Sequence, residues 1–121
     1  MEAQGQPFRK IETGILTLDV PKSPYPAIGK RVEVDFGEIS FVLDFKDQEQ
    51  MNFKGQNGAM DSVAYTATEI APNVYMVYWH EPHVGDSVVH IQDFTQSVVY
   101  KNITSRNGEF LHLKGTLKIV N

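Results

Sequence analysis

From Val32 to Ile119 the chain alternates apolar and polar positions with a period of two, the spacing that puts successive side chains on opposite faces of a strand. Val32, Val34 and Phe36 alternate with Glu33 and Asp35, and beyond Gly37 the apolar set resumes at Ile39, Phe41, Leu43 and Phe45. The interruption between the two halves predicts one long strand, bulged or sharply bent at Gly37. Asp47-Gln48-Glu49 reads as a turn, Met51 and Phe53 as the apolar face of the next strand, and Gly55–Asp61 as a loop with two glycines. Val63–Ile70 is a further strand, and Ala71-Pro72-Asn73 turns the chain into two β-branched and aromatic runs, Val74–Glu81 and Ser87–Phe94. These flank Pro82-His83-Val84-Gly85-Asp86 and predict a β-hairpin. Val98–Thr104 and Phe110–Val120 complete the set. In the last run Gly115 falls on the apolar face, as expected where a strand bends or a neighbour approaches closely.

Seven or eight strands with short connections pair as antiparallel neighbours, because short turns cannot support a crossover. A meander of that length curls, and closure removes its exposed edges. The expected fold is therefore all-β, a small up-and-down antiparallel β-barrel over residues 30–121. Residues 1–29 differ. Met1–Phe8 is polar, Ile11–Leu18 reads equally as a short strand or a helical turn, and Pro21, Pro24 and Pro26 forbid regular structure up to about Gly29. This segment is expected to be an irregular lead-in that wraps or caps the barrel.

At 121 residues, one domain with an ordinary core is expected, and the 41% hydrophobic and 21% charged fractions agree. The net charge of −4 argues against nucleic acid and anionic membranes as partners. The absence of cysteine excludes disulfides, thiolate nucleophiles and Cys-ligated zinc. With no signal-peptide pattern and no apolar run of membrane-spanning length, a cytoplasmic protein is expected. A homodimer is compatible with the composition.

The chemistry concentrates in the hairpin. Tyr75, Val77, Trp79 and Glu81 share one strand face, so a carboxylate stands beside three large apolar side chains. Burial there raises a carboxyl pKa toward neutrality and suits Glu81 to general acid or base work; the alternative is a rim residue bonded to turn amides. His80-Glu81-x-His83 does not make a metal site, since His80 and Glu81 point to opposite faces and His83 lies in the turn. Placing Glu81 opposite Val89 puts His80, His90 and Gln92 on the solvent face, the register favoured by their polarity. Lys101 is likewise expected to point outward, which turns Tyr100 and Asn102 into the lumen, with Tyr65 inward on its own strand.

Three stretches carry a resemblance: Gly29-Lys30-Arg-Val-Glu-Val-Asp-Phe-Gly37, Asn73-Val-Tyr-Met-Val-Tyr-Trp-His-Glu-Pro82 and Gly85-Asp86-Ser-Val-Val-His90. Over roughly residues 28–120 the chain resembles the MoaF-like domain family, named after a protein of molybdenum-cofactor gene clusters, which implies a lipocalin-like (calycin-like) barrel. Trp-x-Glu-Pro, the most specific part, is also similar to the Trp-Thr-Glu-Pro of phenolic acid decarboxylases, whose proton-donating glutamate falls on Glu81. Their tyrosine pair falls at Val34 and Phe36, and no arginine lies between Arg31 and Arg106 to complete a carboxylate clamp. Decarboxylation of that type is not expected. The functional expectation is a cofactor-independent barrel that binds a small hydrophobic or aromatic molecule, with Trp79, Tyr75, Tyr65, Tyr100 and Asn102 as ligand-facing residues and no metal. The rival readings are a lyase or isomerase acting on a phenolic or enol-type substrate through Glu81, and an interaction protein with a filled interior.

Overall fold

A computed structural model describes residues 21–121 as a closed barrel of eight antiparallel strands in sequence order. The strands are β1 (Arg31–Asp35), β2 (Ser40–Phe45), β3 (Gln50–Gly55), β4 (Met60–Ala71), β5 (Val74–Glu81), β6 (Asp86–Asp93), β7 (Val98–Thr104) and β8 (Phe110–Val120). Closure comes from β1 pairing with β8, Val34 opposite Leu117, so no strand edge is left unpaired along that seam. Among the described residues there is no helix long and apolar enough to cross a membrane.

The expected bend at Gly37 is instead a reversal. β1 and β2 pair antiparallel, with Val34 opposite Phe41. The Phe36 amide donates to the Ile39 carbonyl at 2.9 Å, the Gly37 amide donates to Asp35 Oδ1 at 2.8 Å, and Gly37 adopts φ 98°, a conformation open to glycine at little steric cost. The inward apolar set changes from even positions on β1 to odd positions on β2 because the reversal places Val34 opposite Phe41, both facing the interior. Gly115 fulfils its expected part: a Cβ there would run into the Asp35 carbonyl oxygen and the Phe36 ring, so β8 passes β1 at a distance that leaves no room for a side chain.

The two ends of the barrel differ. At the base, where residues 46–49, 72–73 and 94–97 make the turns, the lead-in residues 21–29 close the interior. Tyr25 is buried and stacks on Phe45 (ring centroids 4.2 Å apart), meeting Tyr65, Tyr75 and Phe94 edge-on at 6.1, 5.8 and 5.9 Å. Ala27 is fully buried, and the Gly29 amide donates to the Phe45 carbonyl at 2.8 Å. Residues 1–20, including the reading of Ile11–Leu18 as strand or helical turn, lie outside the described residues. The opposite end, bounded by residues 36–39, 56–59, 82–85 and 105–109, is the mouth.

Candidate functional site

The register of the β5–β6 hairpin decides what the interior contains. Four residues, 82–85, connect the strands, with the Val84 and Gly85 amides donating to the Glu81 carbonyl at 3.3 and 2.8 Å. Glu81 therefore stands opposite Asp86, Trp79 opposite Val88, Val77 opposite His90 and Tyr75 opposite Gln92. Odd positions on β5 face even positions on β6, so His90 and Gln92 point into the barrel, contrary to the expected register. The four-residue connection between β6 and β7 repeats the shift, placing Gln92 opposite Val99 and His90 opposite Lys101. Lys101 thus points inward and is 7% exposed, whereas Tyr100 is 48% exposed. Tyr100 and Asn102 lie outside: Lys114 Nζ sits 5.6 Å from the Tyr100 ring, and Asn102 Oδ1 is 3.3 Å from His112 Nδ1.

Between the plugged base and the mouth lies a chamber of about 230 Å³, walled by Phe41, Leu43, Phe53, Trp79, Val88 and Ile103. Glu81, Asp86, His90 and Lys101 bring charge and polarity into this apolar wall. A larger concavity of about 680 Å³ lies outside, over β2–β4, but it is shallow and open, and its polar lining of Asn52, Lys54 and Ser62 is ordinary solvated surface. Size alone does not mark a site; enclosure with a few convergent polar groups does.

Each polar group of the chamber has a defined environment. Trp79 Nε1–H donates to Glu81 Oε2 at 2.8 Å, which fixes the carboxylate on the wall. Burial raises the Glu81 pKa, and the acidic groups of Asp86 and Asp61 add to the effect, while the Trp79 hydrogen bond and the Lys101 charge oppose it. His90 lies edge-on to Trp79, ring centroids 4.9 Å apart, and burial together with the Lys101 charge holds its pKa well below the usual range, so it is neutral. Its tautomer follows from the network. The Tyr25 hydroxyl donates to Gln92 Oε1, which leaves the Gln92 amide NH₂, 3.1 Å from His90 Nδ1, as a donor to that ring nitrogen. The ring proton is then on Nε2, a buried donor with no protein partner among the described residues. Lys101 Nζ lies over the Phe41 ring at 4.1 Å and 5.3 Å from the Phe36 centroid, and burial lowers its pKa to about 8 against the pull of Glu81 and Asp86.

Residues 28–118 match the MoaF-like family, and that stretch spans the barrel. The chain belongs to the MoaF-like family. It is also similar to a crystal structure described as that of a putative beta-lactamase from Burkholderia vietnamiensis, with 26% identity over 82% of this chain and 100% of that one, at a TM-score of 0.75. No curated protein matches it.

In this MoaF-like barrel the residues expected to face a ligand separate into three groups. Trp79 and Glu81 line the chamber. Tyr65 and Tyr75 point inward but serve the base: the Tyr65 hydroxyl donates to the Asp47 carbonyl at 2.6 Å, and Tyr75 packs on Tyr25 and Phe94. Tyr100 and Asn102 are on the outer surface. The hairpin histidines are dispersed, with His80 Nδ1 3.0 Å from Ser87 Oγ and exposed His83 paired to Asp61 at 2.8 Å. Among the described residues no three His, Asp or Glu side chains cluster as metal ligands do. His90 and Lys101 are the chamber residues that sequence reasoning placed outside. The signal available for them was the four-residue spacing of the turns, not the polarity of the side chains.

Proposed function

We propose that this MoaF-like barrel binds one small, largely apolar or aromatic molecule in the chamber at its mouth. The observation that carries the reading is the recessed, Trp79-lined chamber of about 230 Å³. An engineered protein cavity of roughly 150 Å³ accepts benzene, so this volume suits a single substituted ring or a compact aliphatic molecule. Apolar walls supply affinity by desolvation, and a few fixed polar groups set orientation. A chamber of this size weighs against an interaction protein with a filled interior. A cytoplasmic site of action, suggested by the cysteine-free composition, belongs to the same proposal.

One observation favours a second reading, a lyase or isomerase acting on a phenolic or enol-type substrate. Glu81 is half-buried, anchored by Trp79 and shifted toward neutrality, as a proton-transferring group requires. The description of the Burkholderia neighbour raises hydrolysis of a β-lactam as another activity, but among the described residues no serine lines this chamber, so that reading gains no support from the lining. Titration with phenol and with short fatty acids while following Trp79 fluorescence tests the binding proposal. Saturable change is expected; an emission quenched freely by iodide and insensitive to every ligand would refute it.

A further inference from the structure

We propose that Lys101 is an amine nucleophile that forms a reversible imine with small aldehydes or ketones entering the chamber, with His90 and Glu81 managing the oxygen and the protons. This inference rests on the binding reading and assigns it a substrate class: a compact apolar carbonyl compound.

The argument begins from placement. Lys101 and His90 are directly opposed on β7 and β6, both pointing inward, and both line the chamber with Glu81. Directly opposed residues on neighbouring strands have Cβ atoms roughly 5 Å apart, within reach of one small molecule. Lys101 makes no ion pair with any described carboxylate; its ammonium rests against Phe41 and Phe36. A lysine placed for stability would be paired or would reach water, because an unpaired buried charge opposes folding. Independently, His90 presents a buried Nε2–H with no described protein acceptor, while its other nitrogen is fixed by Gln92 and Tyr25. Buried donors in native proteins are satisfied, and this orphan belongs to a residue of the chamber wall, so an acceptor atom on an occupant that displaces the wall slightly would satisfy it. A carbonyl group answers both observations: its carbon is the electrophile for the amine and its oxygen the acceptor for His90.

The groups that set the charge of Lys101 are Glu81 from β5, Asp86 and His90 from β6, and the uncharged rings of Phe36 and Phe41 on the β1–β2 side. Burial outweighs the two carboxylates, so about half of the lysine is neutral near pH 8. A desolvated lysine in an apolar pocket is one of the recognised forms of an activated amine. In the addition, the Nζ lone pair forms the C–N bond as the carbonyl π pair moves to oxygen, which His90 Nε2–H stabilises. The nitrogen loses a proton and the oxygen gains one, giving a carbinolamine. The Glu81 carboxylate then takes the remaining N–H proton and passes it to the hydroxyl, the C–O bond breaks as the C=N bond forms, and water leaves with the carboxylate restored. The sum is amine plus carbonyl to imine plus water, with no oxidant or reductant.

The test incubates the full chain with benzaldehyde and cyanoborohydride at pH 8, followed by intact mass and peptide mapping. Exposed Lys30, Lys54, Lys114 and Lys118 serve as internal references. At pH 8 the free-amine fraction of Lys101 exceeds that of a lysine side chain free in water by roughly a hundredfold, and the lower nucleophilicity of a weaker base offsets part of this, by analogy with thiolates. One reduced adduct at Lys101, formed about tenfold faster than the mean of the references and saturating with benzaldehyde, is expected; Lys101→Met should lose it. Labelling of Lys101 no faster than the surface lysines overturns the proposal, and the wild-type map decides this even if the variant fails to fold. Benzyl alcohol, which lacks the carbonyl, separates the two levels of inference. If both compounds alter Trp79 fluorescence without an adduct, the imine fails and the binding site stands; if neither alters it and no adduct forms, both fail.

Discussion

Lys101→Met should make the protein more stable at neutral pH, and the gain should disappear in alkali. Lys101 is 7% exposed, and burial depresses its pKa from 10.5 to about 8. Below pH 8 the lysine is protonated in both the folded and unfolded chain, and the full penalty of holding the charge in the barrel is present. That depression corresponds to about 3 kcal/mol. Between pH 8 and 10.5 the unfolded chain binds more protons than the folded one, so stability rises with pH until the amine is neutral in both. Methionine keeps an unbranched apolar stem and carries no charge. It also forfeits the contact of the ammonium with Phe41, 4.1 Å from the ring centre, a loss of about 1 kcal/mol. The net expectation is a stabilisation of about 2 kcal/mol at pH 7, shrinking below about 1 kcal/mol by pH 10 and toward zero above it. Urea denaturation of both proteins at the two pH values measures it, as a shift in midpoint at constant slope. A variant less stable at pH 7, or a difference independent of pH, would mean that the ammonium reaches water or a carboxylate, and the account of the chamber would be wrong.

Tyr25→Phe removes the hydroxyl that Gln92 Oε1 accepts from and leaves a buried acceptor bare, which should cost about 1–3 kcal/mol in the same urea assay; no change would mean that Gln92 finds another donor. Glu81→Gln keeps the shape and removes the charge that burial disfavours. Because the folded pKa of Glu81 is raised, the penalty on its ionised form appears as pH climbs through the unfolded and then the folded value. The variant should therefore gain stability at pH 8 and little at pH 4, while still binding neutral phenol; equal stability at both would place Glu81 in water.

The architecture was readable because a meander of short-turn strands writes itself as period-two alternation, and closure follows from the need to cover edges. Trp79 and Glu81 were also readable, since facing along one strand depends on parity alone. What was hidden is the parity of one strand relative to the next. A strand boundary moved by a single residue reverses every side chain, and the hydrophobic pattern of β6 and β7 is ambiguous: Val88, Val89, Ile91, Val98 and Val99 supply apolar residues to both faces. Polarity was then used to choose a face, and it chose wrongly for His90, Gln92 and Lys101. That rule fails where the interior carries its own hydrogen-bond partners or where a ligand is meant to supply them. At Gly37 the difficulty was of another kind: a bend and a reversal both require a glycine, and only pairing across the barrel distinguishes them.

The lead-in shows how a proline-rich segment with no periodicity shapes the site from the far end of the barrel. Tyr25 packs into the base through four aromatic contacts, so its hydroxyl is held where Gln92 can accept from it. Gln92 is fully buried and cannot turn toward water; once its oxygen is engaged, its amide is committed to His90 Nδ1. His90 in turn has no choice of tautomer and must carry its proton on Nε2. A proline-flanked tyrosine thus sets the hydrogen-bonding polarity of a histidine in a chamber it does not touch. The same base excludes water from beneath Lys101 and His90, which keeps the local dielectric low and strengthens whatever interaction these groups make with an occupant. The open mouth, by contrast, carries Glu81 and Asp86, whose charges temper the burial of Lys101 without pairing with it. Ordering at one end and incomplete neutralisation at the other leave the Lys101 ammonium and the His90 Nε2–H, at opposed positions of β7 and β6, without acceptors among the described residues.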